Sequence, residues 1–324
     1  MGEYTLIALS ERDPLTLKQA LSSNDGEGWM EEELDSLLAH QTYDLVDCPP
    51  DRKAVGTKWV YRRKRNETGE VVRLKARVVA QGFTQVPGID FFETHAPVVS
   101  IASLRALLSM AATQDWEIHQ VDVDLAYLNS DVDQEIYCKQ PQGYEVVGKE
   151  HQVWKLRKAL YGLKQAGNLW YARLKGIMTQ MSFKVCRTDP CIFYRFVEKH
   201  IIIISTHVDD MGLFANSTNE IKKVKGELSE HVSIKDLGEM KHILGLEISR
   251  DRKQRTISIS HRTYIDTILE RFGFDKSTPV LTPMDTNVRL SKEQSPPNGR
   301  RERRDENGPV SISCRLANTC SCNV

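Results

Sequence analysis

The chain has 324 residues, 40% of them hydrophobic, enough apolar material for one large or two ordinary domains with a buried core. Lysine plus arginine and aspartate plus glutamate both number 44, so no general basic field marks a nucleic-acid partner and any such contact must come from local charge. Seven cysteines, odd in number and without paired Cys-x-x-Cys spacing, argue against a disulfide framework or a zinc site and predict reduced thiols in an intracellular protein.

Residues 1–28 are polar and lack a sustained period, which predicts a leader ahead of a folded part that begins near Trp29. From 52 to 77 the chain holds ten Lys or Arg (Arg52, Lys53, Lys58, Arg62, Arg63, Lys64, Arg65, Arg73, Lys75 and Arg77) against two acids, Glu67 and Glu70. Two β-rich stretches, KWVYRRKR and EVVRLKARVVAQ, flank the turn-forming Asn66-Glu67-Thr68-Gly69, so a basic β-hairpin is expected from Lys58 to Ala80. After Ser100, an N-cap residue type, Ile101, Leu104, Leu107, Leu108 and Ala111 recur at helical spacing and predict a core helix ending before Trp116.

The segment EIHQVDVD, 117–124, alternates and reads as a strand with acids at its end. Trp170, Leu174, Ile177, Met178 and Met181 share one face of a helix and read as ordinary core. Residues 191–204 are rich in β-branched and aromatic types, and with Met211 to Ala215 they predict a hairpin whose turn carries His207-Val208-Asp209-Asp210. The apolar run Ile201 to Ile204 within it is far below the roughly 20 residues of a membrane span, so no membrane association is expected. Ile221, Val224 and Leu228 mark a helix, Ile243 to Ile248 and Thr256 to Ser260 mark strands, and Tyr264, Ile265, Ile268, Leu269 and Phe272 mark a last helix. Helices and strands intermix without a βαβ repeat, which predicts an α+β fold. Residues 286–324 are polar and contain Pro and Gly, so they are expected to form a disordered or truncated tail behind a domain of residues 29–285.

The sharpest chemical feature is Asp209-Asp210 at a hydrophobic hairpin, with Asp122 at the end of an earlier strand. Three acids on adjacent strand ends can converge, and two ionised carboxylates about 4 Å apart repel by roughly 4 kcal/mol at an effective dielectric near 20, so they need a cation or a proton. Hard oxygen ligands with open positions suit magnesium, in the two-ion arrangement used for phosphoryl and nucleotidyl transfer. A polar turn with no chemistry is the competing reading of the same residues, since Asp is common in turns. Asp124 and Asp131 read as solvated neighbours.

Several blocks taken in order carry a resemblance: KWVYRRKR, LKARVVAQGFTQVPGIDFFETHAPVVS, WEIHQVDVDLAYLN, LRKALYGLKQAGNLWYARL, TDPCIFY, HVDDMGLFA and IKDLGEMKHILGLEISR. Residues 29–285 resemble the copia-type LTR-retrotransposon reverse transcriptases, a segment of their Pol polyprotein. The resemblance implies a polymerase right hand of fingers, palm and thumb, with an antiparallel palm sheet carrying the acids. It implies an RNA-directed DNA polymerase that uses two magnesium ions, or manganese, with an RNA or DNA template, a primer and deoxynucleoside triphosphates as partners. By the same resemblance Asp122, Asp209 and Asp210 hold the metal, Tyr127 is the aromatic gate against a ribose 2′-hydroxyl, and Lys75 and Arg77 clamp the triphosphate, with Arg63 a weaker candidate. Gly162 and Gln165 lie along the nucleotide, Lys164 touches template or nucleotide, and Leu244-Gly245-Leu246 forms a primer-holding turn.

Two departures stand out: the family usually has Tyr at His207 and Pro-Arg at Gly167-Asn168. The tail 286–324 does not resemble the ribonuclease H segment that follows in the family. A catalytically inactive remnant that only binds nucleic acid is therefore the rival reading, and a small-molecule phosphohydrolase using the same acids a third.

Overall fold

A computed structural model of the protein describes residues 13–22, 28–65 and 71–277; the expected turn at 66–69 and the tail at 286–324 lie outside them. Contacts divide the chain into two units, one of Met1–Lys241 with Ser249–Ile257 and one of His242–Ile248 with the residues from Ser258 on.

The polar N-terminal stretch contains a short helix, α1 (Leu17–Leu21), whose N-cap Thr16 accepts the Gln19 N–H through its hydroxyl. Ala20 is buried and Leu17 packs against the core, so residues ahead of Trp29 already contribute to packing. A five-residue helix is too short to display a period, which is why the sequence reads as a leader there. Helix α2 (Gly28–Ala39) buries Trp29, Met30, Leu37 and, unusually for a carboxylate, Glu33. Strand β1 (Tyr43–Val46) follows, and then the basic hairpin, β2 (Thr57–Arg65) and β3 (Val71–Ala80), pairs antiparallel with Trp59 opposite Val78 and Tyr61 opposite Ala76. Those four side chains are buried, whereas Lys58, Val60 and Arg62 on the alternate positions are exposed.

Helix α3 (Ile101–Gln114) is capped by the Ser100 hydroxyl, which accepts the Ser103 N–H at 3.0 Å, and it buries Leu104, Leu107, Leu108 and Ala111 as the spacing predicts. Strand β4 (Glu117–Val123) ends in a 3-10 turn, Ala126–Asn129. Strands β5 (Tyr137–Lys139) and β6 (Val153–Leu156) join β1 in a sheet of order β1-β6-β5. Helix α4 (Ala166–Gln180), strands β7 (Lys184–Val185), β8 (Ile192–Val197), β9 (His200–His207) and β10 (Asp210–Ala215), helix α5 (Thr218–His231) and strand β11 (Ile234–Glu239) follow in the first unit. Six of its strands form one antiparallel sheet in the order β11-β4-β10-β9-β8-β7.

Two hydrophobic cores result. One gathers Trp29, Met30, Leu37, Tyr61, Val78, Trp154 and Leu160 between α2, the basic hairpin and the three-stranded sheet. The other packs Trp170, Leu174 and Ile177 of α4 and Ile221, Val224 and Leu228 of α5 against Val121, Val123, Ile202, Ile204, Met211 and Leu213 of the six-stranded sheet. Tyr127 packs against both.

Strands β12 (His242–Ile243), β13 (Leu246–Asp251) and β14 (Thr256–Ser260) form a sheet in that order, and helix α6 (Arg262–Phe272) follows in the second unit. The single strand expected over Ile243–Ile248 is instead a tight hairpin: Ile243 pairs with Leu246 across Leu244 and Gly245, whose φ values are 53° and 76°. Two successive positive φ angles match the twist of adjoining strands, and one glycine inside an apolar run does not reveal such a turn by period alone. The mixture of helices with antiparallel sheets is the α+β class expected from the sequence. Among the described residues no helix is long and apolar enough to cross a membrane.

Candidate active site

The register of the six-stranded sheet sets the acids. Asp210 is the Cα partner of Asp122 on β4 and of His207 on β9, and Asp122 is in turn the partner of Lys235 on β11. Directly opposed residues face the same side of a sheet, with Cβ atoms about 4.5–5.5 Å apart. One row across four strands therefore reads Lys235, Asp122, Asp210, His207. Farther along the same face Ile118 opposes Phe214, both buried, so the strands pass from apolar packing at one end to carboxylates at the other.

Asp209 occupies the two-residue turn between β9 and β10, and its carbonyl accepts the Val123 N–H at 2.8 Å. Val208, the other turn residue, has φ 59°, a left-handed conformation that a β-branched side chain resists and that turns of this kind usually give to glycine. The strained turn is held from outside: the indole N–H of buried Trp170 on α4 donates to the Val208 carbonyl at 2.7 Å. Trp170 thus joins core packing to the shape of the acidic turn, and only the need of a buried indole N–H for a partner could have hinted at it.

Asp210 is half-buried, and the Gln120 amide donates to its Oδ1 at 2.7 Å. Burial pushes its carboxyl above the usual range and the charge of Asp209 adds to that, while Gln120 and His207 oppose. A half-buried carboxyl next to two others is a group that a divalent cation would stabilise in its ionised form. Among the described residues no group of three His, Cys, Asp or Glu is placed so that it could hold a metal ion; the register sets Asp122 opposite Asp210 with Asp209 in the adjoining turn, and carboxylate oxygens are the hard donors that magnesium takes. Asp124 and Asp131 are exposed and engaged elsewhere, Asp124 with the Ser233 hydroxyl at 2.9 Å and Asp131 with Lys158 at 2.7 Å.

A chain of stacked groups leads from the acids to the basic hairpin. Tyr127 sits on the 3-10 turn after β4, half-buried, with its ring edge-on to Tyr161 at 4.8 Å; burial, then the charge of Asp209, raises its phenol. The guanidinium of Arg77 lies 4.7 Å over the Tyr161 ring. Burial pushes the Tyr161 phenol up to about 12 against the opposing pull of Arg77, so it stays neutral. Lys75 and Arg77 occupy one face of β3, as their spacing implies, and they are opposite Arg62 and Val60. Arg63 falls on the alternate face, so the basic residue that accompanies Lys75 on the neighbouring strand is Arg62. Hairpin register, which the letters leave open by one residue, decides between them.

The loop before α4 is held by its own protein contacts. Gly162 has φ 88°, and a Cβ there would stand 2.1 Å from the Ala80 carbonyl oxygen. Its lack of a side chain serves close packing of the loop on the end of β3, reinforced by the Ala80 N–H donating to the Tyr161 carbonyl at 2.8 Å. That contact is by itself a packing reason for the glycine. Gln165 is buried, with its amide nitrogen donating to the Asp90 carbonyl at 2.7 Å and its oxygen accepting from Gln85 at 3.1 Å, so it reaches a ligand only by giving these up. Lys164 is exposed, with its ammonium 5.4 Å from the centre of the Phe91 ring. Leu244-Gly245-Leu246, in the second unit, forms the hairpin turn already described.

A cavity of about 320 Å³ is lined by Glu33, Ser36, His40, Lys75, Asp124 and Ser233 among others. A larger one of about 520 Å³ at the β7–β8 edge is not lined by any of the candidate residues, and four of its charged side chains pair as Arg195 with Glu227 and Lys223 with Glu220.

A sequence model of the family described as reverse transcriptase (RNA-dependent DNA polymerase) matches residues 40–286. The chain is 42% identical over 298 residues to the retrovirus-related Pol polyprotein from transposon TNT 1-94 of Nicotiana tabacum, a match covering 91% of this chain and 22% of that protein. Similar matches are the Pol polyproteins from transposons RE1 and RE2 of Arabidopsis thaliana, 35% identical over 87% of this chain and 33% over 89%, covering 19% and 20% of those proteins. The chain thus spans about a fifth of the length of these relatives.

Proposed function

Because this chain belongs to the reverse transcriptase (RNA-dependent DNA polymerase) family, we propose that it is the polymerase segment of a copia-type Pol polyprotein and extends a primer on an RNA template. One observation carries the reading: Asp122 and Asp210 are cross-strand partners, with Asp209 in the adjoining turn. In this reading the molecule is a right hand, with the six-stranded sheet as palm and the basic hairpin within the fingers. It acts inside the cell, in cytoplasm or nucleus.

Asp122, Asp209 and Asp210 would hold a pair of magnesium ions. When bound, the ions supply activation of a primer 3′-hydroxyl and neutralisation of charge on the nucleotide phosphates. Gln120 positions Asp210, and Trp170 keeps the Val208-Asp209 turn in its strained form. Tyr127, braced edge-on by Tyr161, presents a ring that excludes a ribose 2′-hydroxyl. Lys75 and Arg77 bind and orient the triphosphate, and Lys164 reaches template or nucleotide. Gly162 and Gln165 shape the nucleotide's surroundings, and Leu244-Gly245-Leu246 contacts the primer. His207 takes the place of a tyrosine opposite Asp210 and changes efficiency without abolishing metal binding.

Primer extension on homopolymer RNA with magnesium tests the reading. Extension by the chain and its loss in Asp209→Asn are expected. Duplex binding without extension under magnesium or manganese would instead identify an inactive remnant, and phosphate release without a primer would identify a phosphohydrolase.

A further inference from the structure

Glu33 is a buried carboxylate that the polymerase reading leaves without a task. It projects from α2 onto β3, where its Oε1 accepts the Val78 N–H at 3.1 Å, one residue past Arg77. It is 7% exposed and lines the same cavity as Lys75. Resting on the assignment of Lys75 and Arg77 to the triphosphate, we propose that Glu33 is the positioning residue of that basic pair, fixing β3 through Val78 and competing with the incoming triphosphate for the two cations.

The geometry gives Glu33 both tasks. β3 pairs with β2 along one edge only, so the outward Val78 N–H would be left without a partner if α2 did not supply one. The single carboxylate satisfies that donor and also adds a negative charge beside Lys75 and Arg77. Around it stand Lys75 and Arg77 on β3, Glu32 on its own helix and Tyr161 on the loop before α4, with His40 and Asp124 elsewhere on the cavity wall. Burial pushes the Glu33 carboxyl up to about 7, and Glu32 adds a smaller rise, against the lowering effects of Val78, Lys75 and Arg77. Its charge therefore changes near neutral pH. Below that range it is neutral and still accepts from Val78, leaving both cations to the ligand. Above it the carboxylate pulls on the same cations. By linkage, a bound triphosphate raises the proton affinity of Glu33 by the factor by which the Glu33 charge weakens the triphosphate.

The test is calorimetric titration of deoxythymidine triphosphate into the full chain, bound to a primer-template with a dideoxy-terminated primer, from pH 6 to 8.5. Wild type, Glu33→Gln, Glu33→Ala and Arg77→Ala are compared. Glutamine keeps an acceptor for Val78 without the charge, and comparison at each pH cancels the ionisation of the triphosphate itself. Wild-type affinity should fall by about fivefold between pH 6 and 8 relative to Glu33→Gln. At pH 7 wild type should take up a fraction of a proton that the glutamine variant does not. Glu33→Ala, which loses the acceptor, should bind more weakly than Glu33→Gln at every pH. Parallel pH profiles for wild type and Glu33→Gln, with equal proton uptake, would overturn the inference while leaving the polymerase reading in place. Undiminished binding by Arg77→Ala would overturn the assignment of the basic pair, and the inference with it.

Discussion

The six-stranded sheet and the two-stranded basic hairpin hold their functional groups in different ways. Asp122 and Asp210 sit on central strands, flanked on both sides by paired neighbours and backed by the apolar faces of α4 and α5. Lys75 and Arg77 sit on a ribbon with one partner strand, whose Trp59, Tyr61, Ala76 and Val78 pack into the other core and whose outer edge is tied by the Glu33–Val78 bond, the Tyr161–Ala80 bond and the close seat of Gly162. Both groups are backed by a core, but the acids are also enclosed by paired strands on either side, whereas the outer edge of β3 is held by single contacts that can be cut one at a time.

The largest expected effect comes from removing an acid. Asp122→Asn or Asp209→Asn should lower extension by about 100- to 1,000-fold with an unchanged melting temperature, because the charge is lost while the sheet register remains. A comparable fall in thermal stability would mean that the acids serve the fold. Next, Gly162→Ala forces a Cβ against the Ala80 carbonyl at a positive φ, and should cost about 2–3 kcal/mol of stability, read by denaturant unfolding. Wild-type stability in that variant would show that the loop is not seated on β3 as described.

Trp170→Phe retains most of the packing but loses the donor to Val208, and should cost about 1 kcal/mol in stability together with a fall in kcat at constant nucleotide KM. A change in KM alone would place its influence on the hairpin side of the comparison. Removal of the Glu33 charge gives a stability test. Its carboxyl is raised in the fold, so the folded state holds the extra proton, and stability present below the unfolded value of 4.5 is lost as pH rises to about 7. Glu33→Gln should flatten that slope, by on the order of 2–3 kcal/mol between pH 4.5 and 7, as measured by urea unfolding. The smallest effect separates two adjacent arginines: Arg62→Ala should weaken triphosphate binding by about two- to threefold and Arg63→Ala should not, since only Arg62 shares the face of Lys75. The reverse order would mean that the hairpin register is shifted by one.

What was legible in the letters follows the same division. Helices with three or four apolar turns, such as α3 and α5, and the strand ending at Asp122 show their period because one face is buried. The letters placed Asp122 and the Asp209-Asp210 pair at strand ends, and the sheet register sets Asp122 opposite Asp210. The resemblance then paired segments that periodicity alone cannot pair. Long-range contacts were not legible: Glu33 is one acid in a run of three, Tyr161 lies within a quoted block with no role of its own, and Trp170 reads as core. Their roles arise from distant partners: the Val78 N–H, 45 positions from Glu33, the Tyr127 ring, edge-on at 4.8 Å from that of Tyr161, and the Val208 carbonyl, 38 positions from Trp170. Backbone conformation was equally hidden, since Val208 and Leu244 adopt positive φ angles that their residue types disfavour.

The proposed polymerase chemistry requires that Asp122 share a divalent-cation site with Asp209 and Asp210. Manganese binding followed by electron paramagnetic resonance, on the full chain with a dideoxy-terminated primer-template and deoxythymidine triphosphate, tests it most directly. Two bound ions per chain are expected in wild type and at least one fewer in Asp122→Asn, with the protein still folded. Equal manganese binding by wild type and Asp122→Asn would contradict that requirement.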